Sequence, residues 1–452
     1  MIATSSTNKK KTIMSHLVHE RSSESAHSAL DLFSVPPTQT SVSEGRWVEY
    51  HPLATLAESA PIEFCVSGGG SAEYLDLSST YLRVVAKVVD GTGGELDNNA
   101  PVAPVNYYLH ALFSQVDVWL NDTLVTASEN TYATRAYLEA LLHYGPDAKR
   151  GHLSSALWYA DTAGKMTSTT RDNNGYDKRR ELAAKSKSID MMGRLHVDIF
   201  QQGRYMVNGV DVKIRLVPSK STFNLFSSAG DGTFKSVITE ATLYVRKQTL
   251  NPAVTLSHAK LFERGATVKY PLKRVKLHTF TVASGSTSHV QDNLFITQTP
   301  NKVIVGLQPA ETLNGSLDRN PFQFDTHGLT YFCAYVNGKL VPNKPLTPNY
   351  TAGHYIRCYH GLMAGTGWTH RDGGCGITRS EYPKGYALYA LDLTPSLLDD
   401  HRESFELSRS GAMRMEFKFA EALTYSLTVV VWAQMDGVIE VDRTRQVQTD
   451  FL

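Results

Sequence analysis

Cys358, His360, His370 and Cys375 place two thiols and two imidazoles in one short glycine-rich stretch, and these are the side chains that ligate zinc. Their spacing fits no Cys-x-x-Cys pattern, and glycines impose no geometry on a donor set, so they read as ordinary loop residues. The 16 histidines offer general bases, but none stands beside a Gly-x-Ser-x-Gly elbow, a His-Glu-x-x-His helix or a Gly-x-x-x-x-Gly-Lys loop. Gly68-Gly69-Gly70 runs into Ser71-Ala72-Glu73 without a lysine or a helical pattern, and reads as a turn. His110 lies in an apolar, partly aromatic stretch and reads as a hydrogen-bonded structural histidine. Trp158, Tyr159 and Trp368 fall between periodic segments, where they could form a sugar or receptor platform or pack between subunits. Asn349-Tyr350-Thr351 is a formal glycosylation sequon, expected to stay unmodified without a secretory signal. The residues thus point to no catalytic, cofactor-binding or metal site, and the chain is not read as an enzyme.

The elements that hold these residues are mostly strands. Leu82, Val84, Ala86 and Val88 alternate with Arg83, Val85 and Lys87; Val212, Ile214 and Leu216 alternate with Asp211, Lys213 and Arg215. Val275 and Leu277 lie between Arg274, Lys276 and His278, and Met413, Met415, Phe417 and Phe419 interleave with Arg414, Glu416 and Lys418. A period of two predicts strands with one face in a core, whereas the unbroken apolar run Leu427 to Ala433 predicts a strand buried on both faces. One segment reads firmly as a helix, Tyr132 to Tyr144, with Asn130 or Thr131 as N-cap, Gly145 in the C-terminal left-handed position and Pro146 preventing continuation. Long polar stretches, Asp161 to Ser188, Pro309 to His327 and Pro342 to Lys384, read as loops at the ends of β-sandwiches.

With 452 residues, two domains of about 200 residues each are the natural expectation. Lysine and arginine total 45 against 44 acidic residues, a net charge of +1, so no global field is available to hold a polyanion. Cys65, Cys333, Cys358 and Cys375 are too scattered to staple the chain and read as reduced thiols of an intracellular assembly site. Residues 1 to about 35 are polar and serine-rich, with one short amphipathic turn around Ala29, Leu30, Leu32 and Phe33 before Pro36-Pro37; they read as a flexible arm, and Lys9, Lys10 and Lys11 could touch a phosphate backbone weakly. The arm lacks the apolar stretch of a secretory signal, and no run reaches the roughly 18 apolar residues of a membrane span.

Val116-Asp117-Val118-Trp119-Leu120-Asn121-Asp122-Thr123-Leu124-Val125 echoes Phe332-Cys333-Ala334-Tyr335-Val336-Asn337-Gly338-Lys339-Leu340-Val341 about half a chain later. Each is a strand, a turn dipeptide tolerant of positive φ, and an apolar return. Shared turn chemistry could produce this, but a duplicated domain whose halves meet near Asn251-Pro252 explains it better. The fold expected is all-β, two consecutive eight-stranded antiparallel jelly-roll sandwiches with one or two helices inserted in loops: residues 1–40 an arm, 41–250 the first roll, 251–452 the second.

Several strings are similar to a known family. They are His19-Glu20-Arg21-Ser22-Ser23-Glu24 with Leu30-Asp31-Leu32-Phe33 and Pro36-Pro37-Thr38-Gln39-Thr40; Trp47-Val48-Glu49-Tyr50-His51-Pro52; and Val105-Asn106-Tyr107-Tyr108-Leu109-His110-Ala111-Leu112-Phe113-Ser114-Gln115-Val116. In the second half they are Asn320-Pro321-Phe322-Gln323-Phe324, Gly385-Tyr386-Ala387-Leu388-Tyr389-Ala390-Leu391-Asp392-Leu393-Thr394-Pro395 and Leu427 to Val441. In order and spread the chain resembles the double jelly-roll major capsid proteins of Polinton/Maverick elements and adintoviruses, and more distantly those of virophages and large nucleocytoplasmic DNA viruses. The resemblance implies a structural hexon-type protein, a homotrimer of pseudo-hexagonal outline that meets neighbouring capsomers, single jelly-roll penton proteins and minor capsid proteins in an icosahedral virion shell assembled inside the host cell. It also makes Asp161 to Ser188 and Pro342 to Lys384 candidates for the outer surface or for clasps between subunits. Two rivals stay open: a carbohydrate- or receptor-binding β-sandwich, which would be a compact monomer with an aromatic cleft, and a jelly-roll hydrolase, which would gather carboxylates with shifted pKa values in a pocket.

Overall fold

The structure, a computed structural model, describes residues 22, 25 and 27–395 apart from 71, 128 and 231, and then 405–407 and 410–450. Lys9, Lys10 and Lys11 lie outside the described residues. The chain divides into two compact units, Met1–Thr40 and Ser41–Leu452. In the first, the expected amphipathic turn is a single 3-10 turn, Ser28–Leu30, whose Ala29 N–H donates to His27 Nδ1 at 3.2 Å. Leu30, Leu32 and Phe33 are all exposed, so this turn buries no face.

The second unit contains β1 (Val42–Tyr50), β2 (Ile62–Val66), β3 (Glu73–Asp90), β4 (Val102–Pro104), β5 (Phe113–Leu120), β6 (Thr123–Leu124), β7 (Ile189–Arg194), β8 (Val212–Pro218), β9 (Leu225–Ser227) and β10 (Phe234–Leu250). It continues with β11 (Val268–Val282), β12 (Ser288–Leu294), β13 (Lys302–Pro309), β14 (Leu329–Val336), β15 (Lys339–Leu346), β16 (Leu388–Asp392), β17 (Met413–Phe419), β18 (Leu427–Val441) and β19 (Val447–Thr449). The sheets β1-β10-β3-β7 and β2-β8-β5-β6 face each other across the first core, with β4 and β9 as a small accessory pair; β11-β18-β13-β16 and β12-β17-β14-β15 do the same in the second, where β19 pairs with β18. If the eight main strands of each half are counted in chain order, both halves give the same two antiparallel sheets, first-eighth-third-sixth and second-seventh-fourth-fifth. Two jelly rolls of one topology therefore stand in tandem.

The alternating segments set their registers. Leu82, Val84, Ala86 and Val88 on β3 and Met413, Met415, Phe417 and Phe419 on β17 are buried, while Arg414 and Lys418 between the latter are exposed. Full burial of such a side chain contributes about 1.5–3 kcal/mol, so a one-residue slip of β17 would cost on the order of 6–12 kcal/mol. β18 is buried without interruption from Leu427 to Met435, as its apolar run requires. The two echoing segments are the β5–β6 and β14–β15 hairpins, the fourth and fifth strands of each roll, and Asn121 (φ 52°) and Asn337 (φ 50°) turn both in the left-handed region.

The helices exceed the one or two expected. They are α1 (Tyr108–Ala111), α2 (Tyr132–His143), α3 (Pro146–Arg150), α4 (Asn174–Ala183), α5 (Ser221–Asn224), α6 (Pro252–Glu263), α7 (Ala310–Asn314) and α8 (Ile356–Gly365). The helix read from sequence is α2, but its ends differ: Thr131 makes no side-chain cap, and Gly145 is extended (φ −76°, ψ 169°) rather than left-handed. Pro146 does not stop the chain there, because it begins α3, where proline's missing N–H is harmless. The three polar stretches also depart from exposed loops. They contain α4, α7 and α8, and bury Tyr176, Arg179, Leu317, Phe322, Phe324, Cys375 and Tyr382. Close approach fixes one residue type here: a Cβ on Gly365 of α8 would sit 2.8 Å from the Ala390 Cβ on β16.

Candidate functional site

Those buried insertions meet at a seam between the two rolls, which carries a connected polar network. Tyr137 of α2 stacks on Phe322, with centroids 4.2 Å apart and planes 5° apart, and its other neighbour is Trp158 at 5.3 Å. Asp161 is the hub beside this stack. Its Oδ1 accepts from Arg179 at 2.7 Å and from Asn173 at 3.0 Å, and its Oδ2 accepts from Asn320, across the seam, at 2.9 Å. Arg179 also donates to the carbonyls of Pro104 (2.7 Å) and Tyr159. Asn173, the side-chain cap of α4, holds that helix in place through Tyr176 N–H. A buried pair of this kind is sustained by such further hydrogen bonds to both partners.

A second cluster seals the edge of β11. Asp198 Oδ1 accepts the Val275 N–H and Glu129 Oε2 the Leu277 N–H, both at 3.2 Å, while Arg204 donates to the Lys269 carbonyl at 2.7 Å. Residues 269, 275 and 277 share the strand side that does not face β18, so side chains of the first roll occupy hydrogen-bonding positions that another strand would need. Behind Asp198 a buried chain runs through Arg135 to Glu139, then to His196 Nδ1 at 2.8 Å and from His196 Nε2 to Tyr107 Oη at 2.8 Å. Burial pushes the Asp198 carboxyl up, with Arg135 opposing it; burial also acts to raise Glu139, but there Arg135 and His196 prevail and hold it well below the usual carboxylate range. Burial likewise raises Glu129.

The sequence candidates fall on either side of this seam. His110 is fully enclosed, with Nδ1 2.9 Å from the Tyr132 hydroxyl, and burial followed by neighbouring His196 pushes its pKa well below the ordinary value. Trp158, Tyr159 and Trp368 form no platform. Trp158 is buried in the seam, and Trp368 donates its indole N–H to the Leu142 carbonyl at 2.6 Å. Among the described residues no three His, Cys, Asp or Glu side chains converge as metal ligands, and Cys358 and Cys375 are buried, the former pushed up to about 12. Gly68-Gly69-Gly70 is a turn with Gly69 at φ 77° and the Gly68 N–H on Asp211 Oδ1 at 2.7 Å. Among the described residues no helix is long and apolar enough to cross a membrane. Nothing in the sequence distinguishes Asp161, Arg179 and Asp198 as site residues, because an acid or a base in a polar stretch carries no mark of its burial.

Two jelly rolls in tandem make a double jelly roll, a fold this chain shares with solved viral major capsid proteins. A chain of the Sputnik virophage, solved by cryo-EM, superposes with a TM-score of 0.61 over 95% of this chain and 93% of its own, at 10% identity. The Faustovirus major capsid protein gives 0.57 over 90% and 92% at 9% identity, and the mavirus major capsid protein 0.52 over 95% of each at 13% identity. In sequence the chain is 26% identical over 427 residues to an uncharacterized protein of Caenorhabditis elegans, covering 91% of this chain and 98% of that one. No family model matches.

Proposed function

We propose that this chain is the major capsid protein of a double-stranded DNA virus or virus-like mobile element, of the Polinton/Maverick and adintovirus type. Three copies form a pseudo-hexameric capsomer, and capsomers tile an icosahedral shell with penton and minor capsid proteins. The protein acts by assembly, not by chemistry. The carrying observation is a fold shared over 90–95% of this chain and 92–95% of each neighbour with capsid proteins of virophages and large DNA viruses. In this reading the arm spans 1–40, the first roll 41–250 and the second 251–452, and contact with DNA is confined to weak contacts of Lys9, Lys10 and Lys11.

Self-association has a physical candidate in α6. Asn251 caps it through the Ala253 N–H at 3.0 Å and Pro252 opens it, yet of its twelve residues only Phe262 is buried. Leu256 (57% exposed) and Leu261 (49%) stand in solvent. An exposed apolar helix face is a candidate contact surface, and in this reading another copy covers it. Near-zero net charge fits close packing of many copies.

Light scattering on the purified chain, followed by negative-stain imaging, tests the proposal. Expected are particles of three chains with a hexagonal outline, converted to monomers by Leu256→Glu with Leu261→Glu. A wild-type chain that stays a 50.0 kDa monomer under all assembly conditions overturns it in favour of a β-sandwich binding module.

A further inference from the structure

A cavity of about 650 Å³ opens where loops of the two rolls meet, lined by α3, residues 158–163 and the start of α4 on one side and by Cys375, Gly376, Ile377, Glu381 and Tyr386 on the other. Its volume lies in the range of small-molecule sites, about 300–1,000 Å³. The charges around it are unequal in their partners. Asp161 is consumed by Arg179, Asn173 and Asn320, and Glu381 accepts from the Thr378 N–H (2.9 Å) and hydroxyl (2.6 Å). Arg150, on the rim, pairs with exposed Asp147. Glu381 has no cation beside it among the described residues but is half-buried, whereas Lys149 is buried. It is 9% exposed, and its ammonium donates to the carbonyls of Leu141 (2.5 Å) and Cys375 (2.6 Å) and lies 5.5 Å from the Trp158 ring. Among the described residues no carboxylate lies within ion-pair distance of it.

A buried ammonium held only by neutral dipoles is a charge without a counter-ion, costly to keep in a low-dielectric setting. Burial accordingly pulls the Lys149 pKa down to about 8. Lys178, also on the wall and without a carboxylate among the described residues, lies 5.9 Å from the Tyr159 ring. Asn174 and Gly175 bring the positive end of α4 to the same wall. We infer that the cavity binds a small phosphate-bearing ligand, with Lys149 as the buried counter-charge and Lys178 and Arg150 closing over the outer oxygens. An occupant would bridge loops of both rolls and so tighten the seam.

Isothermal titration of the full chain with inorganic tripolyphosphate and with ATP, in chloride buffer at pH 7, tests this. The expected result is one site per chain with Kd of about 100 µM or tighter, weakened ~10-fold or more by Lys149→Met and nearly restored by Lys149→Arg. Equal binding of the two probes assigns recognition to the phosphates, and tighter ATP binding adds the apolar wall. At pH 8.5 binding should take up protons, read from the buffer dependence of the heat, because the ligand re-protonates Lys149. Should Lys149→Met fail to fold, Lys178→Glu at the exposed rim serves instead and should weaken binding several-fold. The inference is overturned if neither probe binds below about 1 mM, or if the Lys149 and Lys178 variants bind as the wild type does.

Discussion

Replacing Asp161 by alanine should loosen the seam more than any exposed charge change can. The carboxylate is 4% exposed and its partner guanidinium 1%, so removal leaves Arg179 buried with two carbonyls and no counter-charge, and takes one acceptor from each of the Asn173 and Asn320 amides. Breaking a buried pair from one side costs about 3–5 kcal/mol, most of it the penalty of the orphaned charge. In a unit larger than 250 residues each kcal/mol moves Tm by about 2 °C, so a fall of about 6–10 °C is expected. Calorimetry at matched protein concentration measures it, with Asp190→Ala as control. Asp190 pairs with Arg83 at 2.9 Å but its side chain is 62% exposed, so its loss should move Tm by less than about 2 °C. If Asp161→Ala falls no further than Asp190→Ala, the seam is not held by this hub and the reasoning fails.

Three further outcomes follow from the same structure. Phe417→Ala empties a fully buried position on β17 and should cost about 3–5 kcal/mol by denaturant unfolding, whereas neighbouring Lys418→Ala, on the exposed face, should cost less than about 0.5 kcal/mol. Ellman's reagent should titrate one fast thiol per native chain, exposed Cys65, because Cys333, Cys358 and Cys375 are buried and burial raises their pKa; two or more fast thiols would contradict the packing around them. His110, whose pKa is depressed in the folded chain, binds fewer protons there than when unfolded, so its contribution is complete above about pH 6.5 and is lost as pH falls from there through the folded value. Stability measured between pH 7.5 and 5 should therefore decline less steeply in His110→Gln than in the wild type, and parallel slopes would remove His110 as a cause.

What could be read from the sequence follows from which interactions are local. β3, β8, β11 and β17 announce themselves because a half-buried strand must alternate, and the β5–β6 and β14–β15 hairpins because their turns need Asn at positive φ. α8 hides its helical pattern behind Gly361 and Gly365, and Gly365 is there for Ala390 of β16, a partner 25 residues on. α6 shows an Asn cap and a Pro start, yet its apolar residues follow no single buried face, so the same segment reads as a junction. The seam is least legible of all. Asp161 and Arg179 sit in a polar stretch that resembles any solvated loop, and only the arrival of Asn320 from the other roll makes them a core.

The treatment of sheet edges bears on the proposed assembly. A free edge strand invites pairing with another chain, and a protein made to pack beside many copies of itself would be especially exposed to that error. β11 is closed by Asp198, Glu129 and Arg204 of the first roll, and β16 is covered by α8, with Gly365 allowing contact at Ala390. β15 contains Pro342 and Pro345, which cannot donate to a further strand. β1 is edge-exposed along most of its length, but it carries Glu44, Arg46 and Glu49, charges that oppose unselective addition. Under the proposed assembly, lateral contact would fall to side-chain surfaces such as α6, whose geometry is specific and whose strength can be set residue by residue, while backbone pairing at β1, β11, β15 and β16, which any strand could satisfy, is blocked or opposed. Opening one edge tests that division: Asp198→Ala with Glu129→Ala should free the Val275 and Leu277 N–H groups and yield aggregates rich in intermolecular β structure by infrared spectroscopy, and soluble particles of wild-type size would show that the carboxylates do not guard the edge.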